Sequence, residues 1–219
     1  MKHFVFNKEN TFCINLKHRK DRWERMKRRF HTLDMDVTRW DASTPETVYD
    51  KFDALVCGRK IRSCEMACSQ SHINIWRHII QQGLPYAFIL EDDASFNIDW
   101  KRKLSEFDIT KKWHMLILNT IGSSLPYFQW NRCTGKWQTG GYILSYMGAQ
   151  ILLELYNNKF TVADIMTRRL QENGYSYTYF PWLVIQEGTD SDTGNQVELY
   201  HSQMMDLLKS IDYPISNYI

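Results

Sequence analysis

Tyr86-Ala87-Phe88-Ile89-Leu90-Glu91-Asp92-Asp93 is the stretch that decides the fold. A short apolar run of this length fits a strand buried on both faces, the usual strand of a parallel α/β sheet. It runs directly into three adjacent carboxylates. Such charges repel one another at low effective dielectric and are tolerated at a buried strand end when a cation sits there. Open α/β sheets bind ligands at the carboxyl ends of their strands, and hard carboxylate oxygens suit Mg²⁺ or Mn²⁺. In an extended segment residues 91 and 93 point the same way, so one could hold a metal and the other the ligand. A solvated acidic turn is the plain alternative. A metal-dependent phosphoesterase or nuclease could also be built on the same strand end.

Further strands and helices alternate outward from this point. Upstream, Thr11–Leu16 reads as a first strand. Trp23, Met26, Phe30 and Leu33 then make one apolar helical stripe, and Asp36–Trp40 alternates as a short strand. Residues 41–60 read mostly as loop. Glu65–Gln82 is the clearest long helix, with Cys68, His72, Ile75, Trp76, Ile79 and Ile80 on one face and Gly83 and Pro85 ending it. Downstream, the spacing predicts a helix over Trp100–Phe107, a strand over Trp113–Leu118 and a loop over Thr120–Arg132. It then predicts a strand over Gly140–Ser145, helices over Met147–Leu155 and Ala163–Asn173, a strand over Tyr175–Phe180 and a loop-rich tail with a helix near Ser202–Ser210. This order implies a single α/β domain over residues 1–219, with a mostly parallel central sheet flanked by helices.

Composition narrows the function. The chain has 219 residues, 43% hydrophobic and 24% charged, with a formal net charge of +2, which is ordinary for a globular protein. No apolar run reaches the roughly 20 residues of a membrane span. The first residues lack a signal-peptide core, and the five cysteines are an odd number. A cytoplasmic protein with free thiols is therefore expected. The near-neutral total hides a basic block, with eight basic and two acidic residues between Lys17 and Arg29. A nucleic-acid module using this helix is disfavoured by the total charge and by the lack of an RNA-binding aromatic signature, and no nucleic-acid partner is expected.

Other residues carry possible chemistry. His72 is either a satisfied core histidine or a site residue. Cys57, Cys64 and Cys68 with His72 invite a zinc reading but lack a C-x-x-C knuckle. Asp164 opens a helix, where it could be a plain cap or a general base facing the cleft. Asp190 and Asp192 are weaker candidates of that kind. Asn15, Arg19 and Arg22 follow the first strand, where a solvated helix face and an anion site are both possible. There is no G-x-G-x-x-G or P-loop signature.

The ordered set resembles glycosyltransferase family 25, the lipooligosaccharide biosynthesis transferases and collagen galactosyltransferases. The residues that carry it are Ile14-Asn15-Leu16, Arg19, Asp21-Arg22, Cys68-Ser69-Gln70-Ser71-His72 with Trp76, and Pro85 through Asp93. Thr139 through Ser145, Ala149, Asp164 and Pro181 through Gln186 also match. Cys64-Glu65-Met66-Ala67-Cys68 departs from the family pattern by lacking both of its glycines. The resemblance implies a GT-A-like fold, a UDP-sugar donor carrying galactose or glucose, and Mn²⁺ or Mg²⁺. It also implies inversion at the anomeric carbon, with a glycan, lipid-linked or protein hydroxyl as acceptor. On that reading Asp93 and Glu91 hold the metal, and Asp164 is the general base. Asn15, Arg19, Arg22, Ser71, His72, Glu91 and Asp92 surround the nucleotide-sugar. Gly140, Gly141, Tyr142, Trp182 and Gln186 contact sugar or acceptor, and His201 could complete the metal shell. The rest of the basic block, Arg25 to Arg29, would be a solvated face or a weak hold on an anionic membrane surface, which leaves peripheral membrane contact open.

Overall fold

The computed structural model describes residues 3–122, 125–156, 159–188, 192 and 197–219. In chain order, β1 (Thr11–Asn15), α1 (Lys20–Thr32) and β2 (Thr38–Asp41) are followed by the short strands β3 (Lys51–Phe52), β4 (Leu55–Val56) and β5 (Arg59–Lys60). Next come α2 (Ser63–Gln82), β6 (Tyr86–Glu91), β7 (Ala94–Phe96), α3 (Trp100–Ser105), β8 (Met115–Ile117), β9 (Trp130–Arg132) and β10 (Gly141–Ser145). The chain continues with α4 (Tyr146–Tyr156), β11 (Lys159–Phe160), α5 (Ala163–Gln171), β12 (Ser176–Tyr179), β13 (Val184–Gln186) and α6 (Val197–Lys209).

The main sheet has seven strands in the order β2-β1-β6-β10-β8-β12-β9. β1 pairs parallel with both β2 and β6, and β12 pairs parallel with β8. β10 lies antiparallel between β6 and β8, and β9 is antiparallel to β12. Five strands therefore share one direction. The strand predicted over Gly140–Ser145 is the reversed one at the centre.

Two layers cover the sheet, as the period-2 alternation of β6 requires. Ala87 and Ile89 face the core formed with Ile73, Trp76 and Ile79 of α2, Leu152 of α4 and Met166 of α5. Phe88 and Leu90 face the opposite core, with Met26 and Phe30 of α1 and Trp100 and Leu104 of α3. A third cluster joins Phe180, Trp182 and Ile185 to Met204 and Leu208 of α6.

Several short strands fall outside the sequence expectation, among them β9, β13 and the β4–β5 pair. The loop predicted over Thr120–Arg132 ends in β9. The tail contributes β13, which pairs antiparallel with β7 so that Gln186 faces Ala94. Each is three residues long, too short to show a period. Residues 41–60, read as loop, contain the β4–β5 hairpin. Its turn residues Cys57 and Gly58 both have positive φ, 48° and 78°, as a two-residue primed turn needs.

Candidate active site

The site forms where β6 ends. Alternation along the strand continues into the acids. Glu91 follows Ala87 and Ile89 to the α2 side, where its Oε1 lies 3.3 Å from His72 Nε2. Asp92 follows Phe88 and Leu90 to the α1 side, where it accepts from Asn15 Nδ2 at 2.6 Å and Arg22 Nη1 at 2.7 Å. The β7–β13 ladder brings Gln186 alongside. Its Nε2 lies 3.3 Å from Glu91 Oε2 and 3.3–3.4 Å from both Asp93 oxygens.

Asp93 is the most perturbed of the three. Burial, with the charges of Glu91 and Asp92, pushes its carboxyl up to about 7. Burial also raises Asp92, despite Arg22 and Asn15. Glu91 is opposed by burial but held below its usual range by His72 and Thr139. Glu91 and Asp93 thus share one neutral amide, through long contacts. This hard-oxygen donor set, with its repulsion only partly offset, fits a divalent cation. Cys68, His72 and Glu91 also bring ligand atoms within 4.8 Å of one another, the one such group among the described residues. Cys57, from the four-residue zinc reading, instead lies exposed on the hairpin.

Asp164 belongs to the same cluster. Thr139 Oγ1 lies 2.8 Å from Glu91 Oε1 and 3.1 Å from Asp164 Oδ1. The Gln138 backbone N–H also donates to the Asp164 carboxylate. Burial and the neighbouring Glu91 charge raise its carboxyl to about 6. Asp164 is half-buried at the first turn of α5.

Several expected ligand contacts are engaged inside the protein instead. Tyr142 is fully buried, and its hydroxyl accepts from Trp76 Nε1 and meets His72 Nδ1, both at 2.9 Å. Trp76 can only donate, so the arrangement that satisfies every group has the Tyr142 hydroxyl proton on Nδ1 and the His72 proton on Nε2, facing Glu91. His72 therefore braces the acidic strand, and Tyr142 braces His72. Trp182 is wholly buried with Phe180 at its ring, so it offers no face to a sugar. Ser71 Oγ is buried, accepting from Ser43 N and donating to Ala67 O. Asn15 is spent on Asp92, Arg39 and the Arg19 carbonyl. A Cβ on Gly140 would lie 2.7 Å from Gln186 Cγ, and one on Gly141 3.0 Å from Val184. These glycines let β13 approach closely and do not themselves reach into open space.

The basic block is tied to the site more fully than expected. Arg19 pairs with Asp21 and with Asp192 at 2.7 Å. Arg25 and Arg29 both pair with Glu187, whose backbone N–H donates to the Asp93 carbonyl. The reading of Arg25 and Arg29 as solvated is corrected. Arg22, Arg25 and Arg29 recur at i, i+3 and i+7, a face of α1 turned to the acidic loop. Asp190 lies outside the described residues. His201 Nδ1 is 3.0 Å from the Gln186 carbonyl, so it donates there and leaves the neutral ring's lone pair on Nε2. Sequence reasoning gives no site role to Thr139, which enters only as part of the matching strand, and misses Gln138, Asn119 and Glu187. Gln138 and Thr139 immediately precede the Gly140-Gly141 pair. Asn119 closes the β8 run, and its Oδ1 accepts from Gly141 N.

Comparison with known proteins follows the same pattern. A family model described as glycosyltransferase family 25 (LPS biosynthesis protein) matches residues 8–167. Procollagen galactosyltransferase 1-B of Xenopus laevis is 31% identical over 185 residues, covering 66% of this chain and 28% of that protein. Lipooligosaccharide biosynthesis protein lic2B of Haemophilus influenzae is 26% identical, covering 72% of this chain and 59% of that protein. The match thus spans well under a third of the procollagen relative. A crystal structure of a glycosyltransferase involved in glycosylating the major capsid of PBCV-1 aligns with a TM-score of 0.43 and 12% identity, over 88% of this chain and 98% of that one. The phosphoesterase alternative is not favoured by the family model and the sequence relatives. No helix among the described residues is long and apolar enough to cross a membrane.

Proposed function

The chain belongs to glycosyltransferase family 25, and on that premise we propose that it moves a hexose from a UDP-sugar to an acceptor hydroxyl. The donor carries galactose or glucose, the reaction inverts the anomeric carbon, and the domain works as a GT-A-like transferase. The acceptor is a glycan, a lipooligosaccharide or a protein. The observation that carries this reading is the linked carboxylate cluster. Glu91 and Asp93, at a strand end, share the amide of Gln186, and Thr139 joins Glu91 to a third acid, Asp164, of raised pKa.

Asp93 and Glu91 would hold Mn²⁺ or Mg²⁺, with His201 Nε2 available to complete the set. When bound, such a cation offsets the charge that builds on a departing diphosphate. Gln186 orients the Asp93 carboxylate, and the Asn15–Asp92–Arg22 triad fixes the strand end from beneath. Arg19, the residue that caps the start of α1, would meet the nucleotide phosphate. Asp164 in its ionised form takes the proton from the acceptor hydroxyl. Its link to Thr139 and Gln138 N–H keeps the carboxylate aimed while the hydroxyl attacks.

Calorimetry with UDP, with and without Mn²⁺, tests the class. Binding that requires the metal and is lost in Asp93→Ala is expected. UDP binding indifferent to both would overturn the reading. A screen of UDP-galactose and UDP-glucose for slow metal-dependent hydrolysis then identifies the donor.

A further inference from the structure

We propose that Trp137 forms the wall of an acceptor-sugar subsite, its indole stacking on the apolar face of a pyranose whose hydroxyl is presented to Asp164. The proposal rests on the hexosyl-transfer reading and sharpens it: the acceptor is itself a sugar ring, not the bare side-chain hydroxyl of a peptide.

Position is the first argument. Trp137 immediately precedes Gln138, whose N–H donates to the Asp164 carboxylate, and Thr139, whose hydroxyl lies 3.1 Å from Asp164. It therefore stands on the side of the candidate base, where the acceptor must enter. Exposure is the second argument. Trp182 is sealed in the core, whereas Trp137 is only half-buried.

The third argument is how firmly the segment is held. Lys136 N donates to Gln171 Oε1 at 2.8 Å, and Gln171 Nε2 returns a bond to the Lys136 carbonyl at 2.9 Å. Gln138 adopts φ 85°, a conformation that non-glycine residues rarely take and that concentrates at functional sites. Its side chain accepts from Asn119 Nδ2 at 3.1 Å. The Arg168 guanidinium, one turn beyond Asp164 on α5, lies over one face of the Trp137 ring, 4.6 Å from its centroid, so the opposite face is the one assigned to the pyranose. The indole is thus a rigid, half-buried surface pinned between anchors on α5 and β8.

That arrangement suits a carbohydrate. A pyranose has a C–H face and a hydroxyl rim. The electron-rich face of an indole accepts polarised C–H groups, and it is preorganised when little rotamer freedom is left to lose.

The test is transfer from UDP-galactose or UDP-glucose to methyl β-D-galactoside and methyl β-D-glucoside, beside transfer to a peptide bearing hydroxyl side chains. Hydrolysis of the donor without acceptor is followed in parallel. Trp137→Ala is expected to raise the glycoside KM at least tenfold, with a much smaller change in kcat or in the donor KM. Trp137→Phe, which keeps an aromatic face, should recover most of that loss. An unchanged glycoside KM in Trp137→Ala, or wild-type transfer to the peptide and to neither glycoside, would overturn the proposal. Absence of donor hydrolysis in the wild type would instead bring down the hexosyl-transfer reading on which it rests. Melting temperatures of both variants separate a lost subsite from a lost fold.

Discussion

Thr139 has one hydroxyl proton and two carboxylate neighbours. When it donates to Glu91, its contact with Asp164 needs a proton from the other side, which a protonated Asp164 supplies. Burial and the Glu91 charge raise the Asp164 carboxyl, and the close Thr139 contact works against that rise. A general base works only when ionised. Transfer should therefore fall as pH drops through about 6, the value to which Asp164 is raised, and level off above it. Asp164→Asn should lose about 10²–10⁴-fold in kcat, the range a positioned general base contributes, and should remove that limb of the kcat/KM pH profile. Tyr142→Phe makes a different kind of demand. It strips the acceptor from Trp76 and the donor from His72, both fully buried, and should cost about 1–3 kcal/mol in denaturant unfolding. At this scale the sequence identified the residues more readily than their partners. Glu91, Asp93 and Asp164 stand out by charge and position. Nothing in the order of residues shows that the Tyr142 hydroxyl turns inward to His72, or that Trp182 is enclosed by α6, because both depend on contacts between distant segments.

α1 shows how a helix can appear solvated by composition and yet be committed to a site. Its apolar stripe, Met26 and Phe30, is legible from spacing alone. The adjacent arginine face is not, because its partners Asp92 and Glu187 lie at least 70 residues away in sequence. The same limit hid β7, β9 and β13, whose three-residue runs acquire meaning only when paired. α2 carries a counter-example in which the signal is local. Glu65 sits at the third helical position, accepts from Arg62 N at 2.9 Å and pairs with the side chains of Arg59 and Arg62. The Arg59 and Arg62 contacts outweigh burial and lower its pKa to about 2. The sign follows from the depression: the stabilisation is present above the unfolded value near 4.5 and is lost as pH falls from there towards 2. Glu65→Gln should cost about 1–2 kcal/mol at neutral pH, allowing for the partial exposure of both arginines. The gap to wild type in urea titrations should shrink below pH 4.5. A gap independent of pH would mean that shape, not charge, holds this helix start.

Across the molecule, the cluster is assembled from pieces that no single element could supply. β6 ends in the acids, α2 and β10 brace Glu91 from one layer, and α1 neutralises Asp92 and Glu187 from the other. β13 delivers Gln186, and α5 brings Asp164 to the same rim. Alternating strands and helices were enough to read the α/β class and the sheet end that bears the acids. The reversal of β10 was not readable, since a buried antiparallel strand and a buried parallel one have the same apolar sequence. An assembly of this kind stores like charge that ligand binding should relieve, and the relief is measurable as stability. Glu91, Asp92 and Asp93 are crowded together, with Asp93 raised to about 7 by burial and its neighbours. A ligand that binds only the folded chain stabilises it by RT ln(1 + [L]/Kd), about 2.7 kcal/mol at a concentration 100 times Kd. Mn²⁺ with UDP should therefore raise the melting temperature by several degrees, and by more than the two ligands raise it separately, because each supplies part of the other's site. Asp93→Asn reduces the stored repulsion and removes a charged ligand atom. It should melt no lower than wild type without metal, and should lose most of the added stabilisation when Mn²⁺ and UDP are present. If the variant kept the full ligand-dependent rise, the cation would have to be held elsewhere. The acids at the end of β6 would then be a structural feature of this sheet without a ligand to relieve them.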